Sequence, residues 1–189
     1  MSARSRLLRA RLKGCNIQWL QYYALRVHEQ VIQQRRFRGY FGDDTLLIPV
    51  PRSRAGSCTA VWAARHLALA IHATGLGYSV WTGLSRSSPV DRSSAAWFWE
   101  RPTVQEHYRS FAVGPSASSP AHVVLIDDVV TKGRTLVAAA MRLQQAFPQA
   151  RIQAFALLRT MGFVPDIERL IDPCQGEIRW NGEEAYRAP

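Results

Sequence analysis

The junction between Val123-Val-Leu-Ile126 and Asp127-Asp128 limits the fold more than any other stretch of the chain. Four apolar residues in a row suit a buried strand, and two carboxylates mark where burial stops. Val129 and Val130 follow, and then Thr131-Lys132-Gly133-Arg134-Thr135. Beyond this loop Leu136, Ala139, Ala140 and Leu143 recur at helical spacing and predict a helix over Thr135–Phe147. A strand feeding a helix through a basic, glycine-containing turn is therefore one unit of the fold.

The same alternation recurs along the chain. Ile17, Leu20, Ala24, Val27 and Val31 mark one face of a helix that runs from Ile17 to about Arg36. Phe37 to Asp44 reads as a loop. Thr45-Leu-Leu-Ile-Pro-Val50 suits a second buried strand, ended by Pro49 and Pro51. Gly56 to Ala73 reads as a helix, Tyr78 to Thr82 as a strand, Ala121–Ile126 as the strand of the junction and Ile152–Leu158 as another strand. Strands alternating with helices predict an α/β fold, a parallel twisted sheet flanked by helices. Residues 83–120 are rich in Ser, Pro and Arg with weak periodicity, which suits a lid or binding loop. Residues 163–189 carry no clear pattern. The expected layout is a basic arm and amphipathic helix over 1–40, a core over 41–162 and a C-terminal extension over 163–189.

Charge is distributed unevenly. Of the +10 formal net charge, residues 1–40 contribute +8, from nine Arg or Lys against Glu29. A basic arm suits a polyanionic partner such as nucleic acid, or serves as a solvated leader that keeps the protein soluble. No apolar run reaches the roughly 18 residues that span a bilayer, and no apolar segment follows the basic N-terminus as in a signal peptide. Cys15, Cys58 and Cys174 are odd in number and widely spaced, so a cytoplasmic setting without disulfides is expected.

Open parallel sheets bind ligands beyond the carboxyl ends of their strands. There, free N–H groups at a helix start make a phosphate cradle, and Gly133 lets the backbone turn tightly or approach closely. Lys132 and Arg134 add positive charge. A cradle beside two carboxylates matches a phosphorylated sugar, whose vicinal hydroxyls donate to the acids. Neither Gly-x4-Gly-Lys-Ser/Thr nor Gly-x-Gly-x-x-Gly is present. If Asp127 and Asp128 only started a turn and capped the next helix, the doubled acid and the Thr, Gly and Thr after it would have no reason.

Val123-Val-Leu-Ile-Asp-Asp-Val-Val-Thr-Lys-Gly-Arg-Thr-Leu136 resembles the 5-phosphoribosyl-1-pyrophosphate (PRPP) motif of type I phosphoribosyltransferases. The usual loop reads Thr-Thr-Gly-Ser/Thr-Thr, so Lys132 and Arg134 are departures. Within that family the chain is most similar to the ComF (competence protein F) branch. Leu47-Ile-Pro-Val-Pro-Arg-Ser-Arg54 resembles its first strand and pyrophosphate loop. Leu84-Ser-Arg-Ser87 with Arg92 and Ser93, then His107-Tyr-Arg-Ser-Phe111, resembles its hood, and Leu157-Leu-Arg-Thr160 its closing strand. The resemblance covers roughly residues 45–162. Where that branch often carries an N-terminal cysteine-rich zinc module, a basic helix is expected here. The Gly-Phe-Asn-Gln run after the pyrophosphate loop is replaced by Ala55-Gly-Ser-Cys58.

The resemblance implies a type I phosphoribosyltransferase-like fold with a flexible hood, and displacement of pyrophosphate from C1 of PRPP by a nitrogen nucleophile such as a nucleobase, with Mg²⁺ carried on PRPP. Asp127 and Asp128 would hold the ribose hydroxyls and stabilise charge developing on the ring. Thr131, Lys132, Gly133, Arg134 and Thr135 would hold the 5-phosphate, and Arg52 and Ser53 would face the pyrophosphate. Arg86 and Arg109 are lid candidates, although a lone arginine in a Ser-rich loop is more often solvated. A homodimer is expected. Trp97-Phe-Trp99 could stack on a base or pack a loop. His28, His66, His72, His107 and His122 lack metal-ligand spacing, and Ser57-Cys58 has no visible base partner. Three functions follow: an active transferase, a PRPP- or nucleotide-sensing regulator without turnover, and a DNA-uptake accessory protein that touches nucleic acid through its basic N-terminus.

Overall fold

The computed structural model describes residues 10, 16–33, 37, 39–53, 61–89, 102–116, 119–160 and 173–188. In chain order the elements are α1 (Ile17–Gln33), β1 (Thr45–Pro49), α2 (Ala63–His72), β2 (Ser79–Val80), β3 (Leu84–Arg86), α3 (Val104–Ser110), β4 (Phe111–Val113), β5 (His122–Val130), α4 (Arg134–Ala146), β6 (Arg151–Arg159), β7 (Glu177–Trp180) and β8 (Ala185–Ala188). Strands β2, β1, β5 and β6 form, in that order, an all-parallel sheet flanked by helices.

The two central strands explain why the sheet is parallel and covered on both sides. Successive side chains of a strand point to opposite faces. Leu46, Ile48, Val123 and Leu125 join one core cluster with Val104 and Phe111 and with Leu136, Ala139 and Leu143 of α4. Leu47, Val124 and Ile126 join the other, with Leu20, Ala24 and Val31 of α1 and Leu67, Ala68 and Ile71 of α2. Both faces are apolar, so the strands read as continuous hydrophobic runs. Each such side chain, fully buried, contributes about 1.5–3 kcal/mol relative to exposure.

Several boundaries differ from the sequence expectation. Strand β5 does not stop at Ile126 but runs through Asp127 and Asp128 to Val130. The reason lies in β6, whose nine residues keep supplying backbone partners: Asp127 pairs with Ala156, Val129 with Leu158 and Val130 with Arg159. Helix α2 begins at Ala63, where Trp62 holds non-helical dihedrals and its indole Nε1 donates to Val50 O at 2.8 Å. Strand β2 is only Ser79–Val80.

Residues 83–120 hold more regular structure than their composition suggests. Strands β3 and β4 pair antiparallel, and α3 lies between them in sequence. Thr103 and Glu106 form a reciprocal cap: Glu106 N donates to Thr103 Oγ1 at 3.2 Å, and Thr103 N donates to Glu106 Oε2 at 2.6 Å.

The C-terminal stretch contributes an antiparallel hairpin of β7 and β8. Ala185 is buried, and Ile178 and Trp180 pack on the cluster that holds α4. Arg187 donates to Thr160 O at 2.7 Å and Val130 O at 3.5 Å, tying the hairpin to the carboxyl ends of β6 and β5. Among the described residues no helix is long and apolar enough to cross a membrane. The basic arm apart from Ala10, Ala55–Cys58, Arg92, Ser93 and Trp97-Phe-Trp99 lie outside the described residues.

Candidate functional site

A cleft of about 410 Å³, counted out to open solvent, lies at the carboxyl end of β5. Asp127, Val129 and Val130 of the strand line it, with Thr131 to Leu136 of the following turn and helix, and His107 of α3. The turn works because Gly133, the N-cap of α4, takes a left-handed conformation at φ +88°. Residues with a Cβ avoid that region. Gly133 also accepts a close neighbour, since a Cβ built there would lie 2.6 Å from Ile178 Cγ2 of β7. The first turn of α4 leaves backbone N–H groups without intrahelical partners, beside the positive end of the helix dipole.

The structure brings some of the expected site residues together and separates others. Asp127 and Thr131, Lys132, Gly133, Arg134 and Thr135 share the cleft. Asp128 takes the alternate position on the strand and is not among the lining residues; its N–H donates to Asp127 Oδ1 at 2.9 Å. Arg52 and Ser53 follow β1, half-buried and outside the lining. Arg109 is exposed on α3.

Arg86 is an anchored group rather than a surface arginine. Its Nε donates to Arg52 O at 2.8 Å, one guanidinium nitrogen donates to Ser110 Oγ, and the guanidinium lies 4.3 Å over the Phe111 ring. Burial lowers its pKa to about 10, and the nearby Asp127 carboxylate opposes that fall. Arg86 thus links the segment after β1 to β3, α3 and β4.

Lys132 and Arg134 both reach the C-terminal hairpin. Lys132 Nζ lies 3.3 Å from Glu184 Oε2, and Arg134 pairs with the other oxygen of the same carboxylate. Arg134 Nη1 also donates to Pro102 O at 3.1 Å. Hydrogen bonds from Arg134 and then Lys132 hold the Glu184 carboxyl below its ordinary range. Nothing in the local sequence signals Glu184, because its partners lie about fifty residues earlier.

His107 is the other residue missed as a site member. It is 2% exposed. Its Nδ1 lies 3.3 Å from Arg86 Nη2, and its Nε2 3.3 Å from Thr135 Oγ1. The Thr103-x-x-Glu106 cap was the available signal, since it starts a helix that puts His107 and Ser110 on one face. Burial, then the Arg86 charge, push the His107 pKa from 6.5 to about 4. Between those values the unfolded chain takes up a proton that the folded chain does not, so stability falls as pH falls through this window. The drop corresponds to ~3 kcal/mol. Urea unfolding at pH 7 and pH 4 is expected to show the wild type losing about that much more than His107→Gln.

Among the described residues no group of three His, Cys, Asp or Glu side chains comes together as a metal site. Compared with known proteins, the chain matches no protein-family model and no curated protein.

Proposed function

We propose that this chain is a phosphoribosyltransferase-like protein of type I fold, nearest the ComF branch, that binds PRPP with Mg²⁺ and passes the phosphoribosyl group to a nitrogen nucleophile such as a nucleobase. One observation carries the reading: a carboxylate in the last half of β5, Asp127, and a left-handed glycine N-cap, Gly133, line the same cleft. The first would accept hydrogen bonds from ribose hydroxyls, and the second opens helix N–H groups to the 5-phosphate.

The chemistry asked of the protein is positioning and electrostatics. The nitrogen lone pair forms a bond to C1 as the C1–O bond to pyrophosphate breaks, and positive charge grows on the ribose ring. Asp127 would stabilise that charge, with Asp128 beside it. Thr131, Thr135 and the loop N–H groups would fix the phosphate end. Arg86 ties Arg52 to the hood, so closure and the pyrophosphate side would move together. Asp127 is the residue that would face Mg²⁺ brought in on PRPP, and the ion would supply neutralisation of charge on the departing pyrophosphate.

The proposal includes a cytoplasmic setting, supported by the cysteine pattern, and nucleic-acid contact through residues 1–40, supported by their +8 charge. The family resemblance extends it to a homodimer. A second reading, a PRPP- or nucleotide-binding regulator without turnover, is favoured by Glu184, which holds both loop cations. Incubating the protein with PRPP, Mg²⁺ and a panel of bases decides between them. Pyrophosphate release is the expected result; tight PRPP binding without release supports the regulator, and no binding overturns both.

A further inference from the structure

We infer that His107 is a positioning residue that transmits the fixed orientation of Arg86 to the Thr135 hydroxyl, leaving that hydroxyl's proton free to bond an anion in the cleft. This rests on the phosphate-loop reading above.

A guanidinium carries only donors, so the His107 nitrogen facing Arg86 has to accept. The proton of the neutral ring therefore sits on Nε2, which donates to Thr135 Oγ1. With an oxygen lone pair so used, the threonine proton needs a different acceptor, and among the described residues no hydrogen bond uses it. Thr135 and His107 both line the cleft. An anion there supplies the missing acceptor, and a charge-assisted bond is the stronger kind.

The surroundings keep the ring in the required state. Arg86 of β3 and Arg134 of the first turn of α4 disfavour a charged imidazole, and only Glu106, exposed on the same helix, favours one. Arg86 is itself held by Arg52 O, Ser110 and the Phe111 face, so the Nδ1 side of the ring is fixed. The result is a three-residue line, Arg86 to His107 to Thr135, that joins the segment after β1 to the phosphate loop.

The test has two arms. Nitrogen NMR of histidine-labelled protein is expected to show His107 neutral, protonated on Nε2, down to about pH 5. Calorimetry with ribose 5-phosphate and, separately, pyrophosphate then reads His107→Phe, Thr135→Val, the double variant and His107→Gln. Each of the first two is expected to weaken ribose 5-phosphate binding about tenfold, as loss of one charge-assisted hydrogen bond would. The double variant should lose at most twofold more, pyrophosphate affinity should stay within twofold, and His107→Gln, whose amide both accepts and donates, should recover most of the loss. If His107→Phe does not fold, His107→Gln and Thr135→Val still carry the comparison. A ring protonated on Nδ1, additive losses, or equal losses for both ligands overturns the inference. Variants that bind ribose 5-phosphate as well as the wild type overturn it while sparing the loop reading. A wild type that binds neither PRPP nor ribose 5-phosphate overturns the loop reading, and the relay with it.

Discussion

Changing Asp127 and Asp128 together to asparagine is expected to cut PRPP-dependent pyrophosphate release by a factor on the order of 10³ or more, with the fold kept. The substitution preserves shape and removes charge. Groups preorganised toward charge that develops in a transition state contribute factors of about 10²–10³ each. Asp127 should carry most of the effect, because it lines the cleft and lies near Arg86, whereas Asp128 takes the alternate strand position. Asp127→Asn alone should approach the double variant, and Asp128→Asn should fall well short of it. Both residues are half-buried in the carboxyl-terminal half of β5 rather than in the core, so far-UV circular dichroism should be unchanged. A double variant that still turns over PRPP refutes the assigned role.

Gly133→Ala is expected to destabilise the protein by about 2–5 kcal/mol, read from urea unfolding. Two effects add. A left-handed φ costs a residue with a Cβ about 1–2 kcal/mol. Overpacking against Ile178 costs about 1–3 kcal/mol more, since the new methyl would sit 2.6 Å from Cγ2. Gly75 separates the two effects. It has φ +90° and no atom within 4 Å of a built Cβ, so Gly75→Ala should show the conformational part alone. Adding Ile178→Ala to Gly133→Ala should relieve the contact part and leave the strain. Equal losses at Gly75 and Gly133 would mean the hairpin does not press on the loop.

What the sequence made legible follows from how local the determinants are. Strands β1 and β5 were readable because both faces are buried, which leaves an unbroken apolar run. Their loop and helix were readable because Gly133 and the spacing of Leu136, Ala139 and Leu143 are short-range signals. The end of β5 was not, since the length of β6 keeps the strand going past Ile126. Helix α3 had a local cap that composition obscured: Thr103 and Glu106 sit next to a long Ser- and Arg-rich stretch. The hairpin was unreadable because each strand is four residues long and largely exposed, and what fixes it is contact with Gly133, Lys132 and Arg134 far up the chain. Lys132 and Arg134 look, from sequence alone, like added phosphate ligands; their pairing with Glu184 is a tertiary fact.

The seat of that hairpin has a dry half and a wet half. Ile178, Trp180 and Ala185 hold it by shape, which ionic strength leaves alone. Glu184 holds it by charge at the water boundary, through contacts so short that only salt of about 1 M, with a Debye length of roughly 3 Å, screens them. The two halves can let go separately, so strong brine could unlatch half-exposed Lys132 while Arg134, only 11% exposed, and the tryptophan stay docked, a partial release with no unfolding behind it.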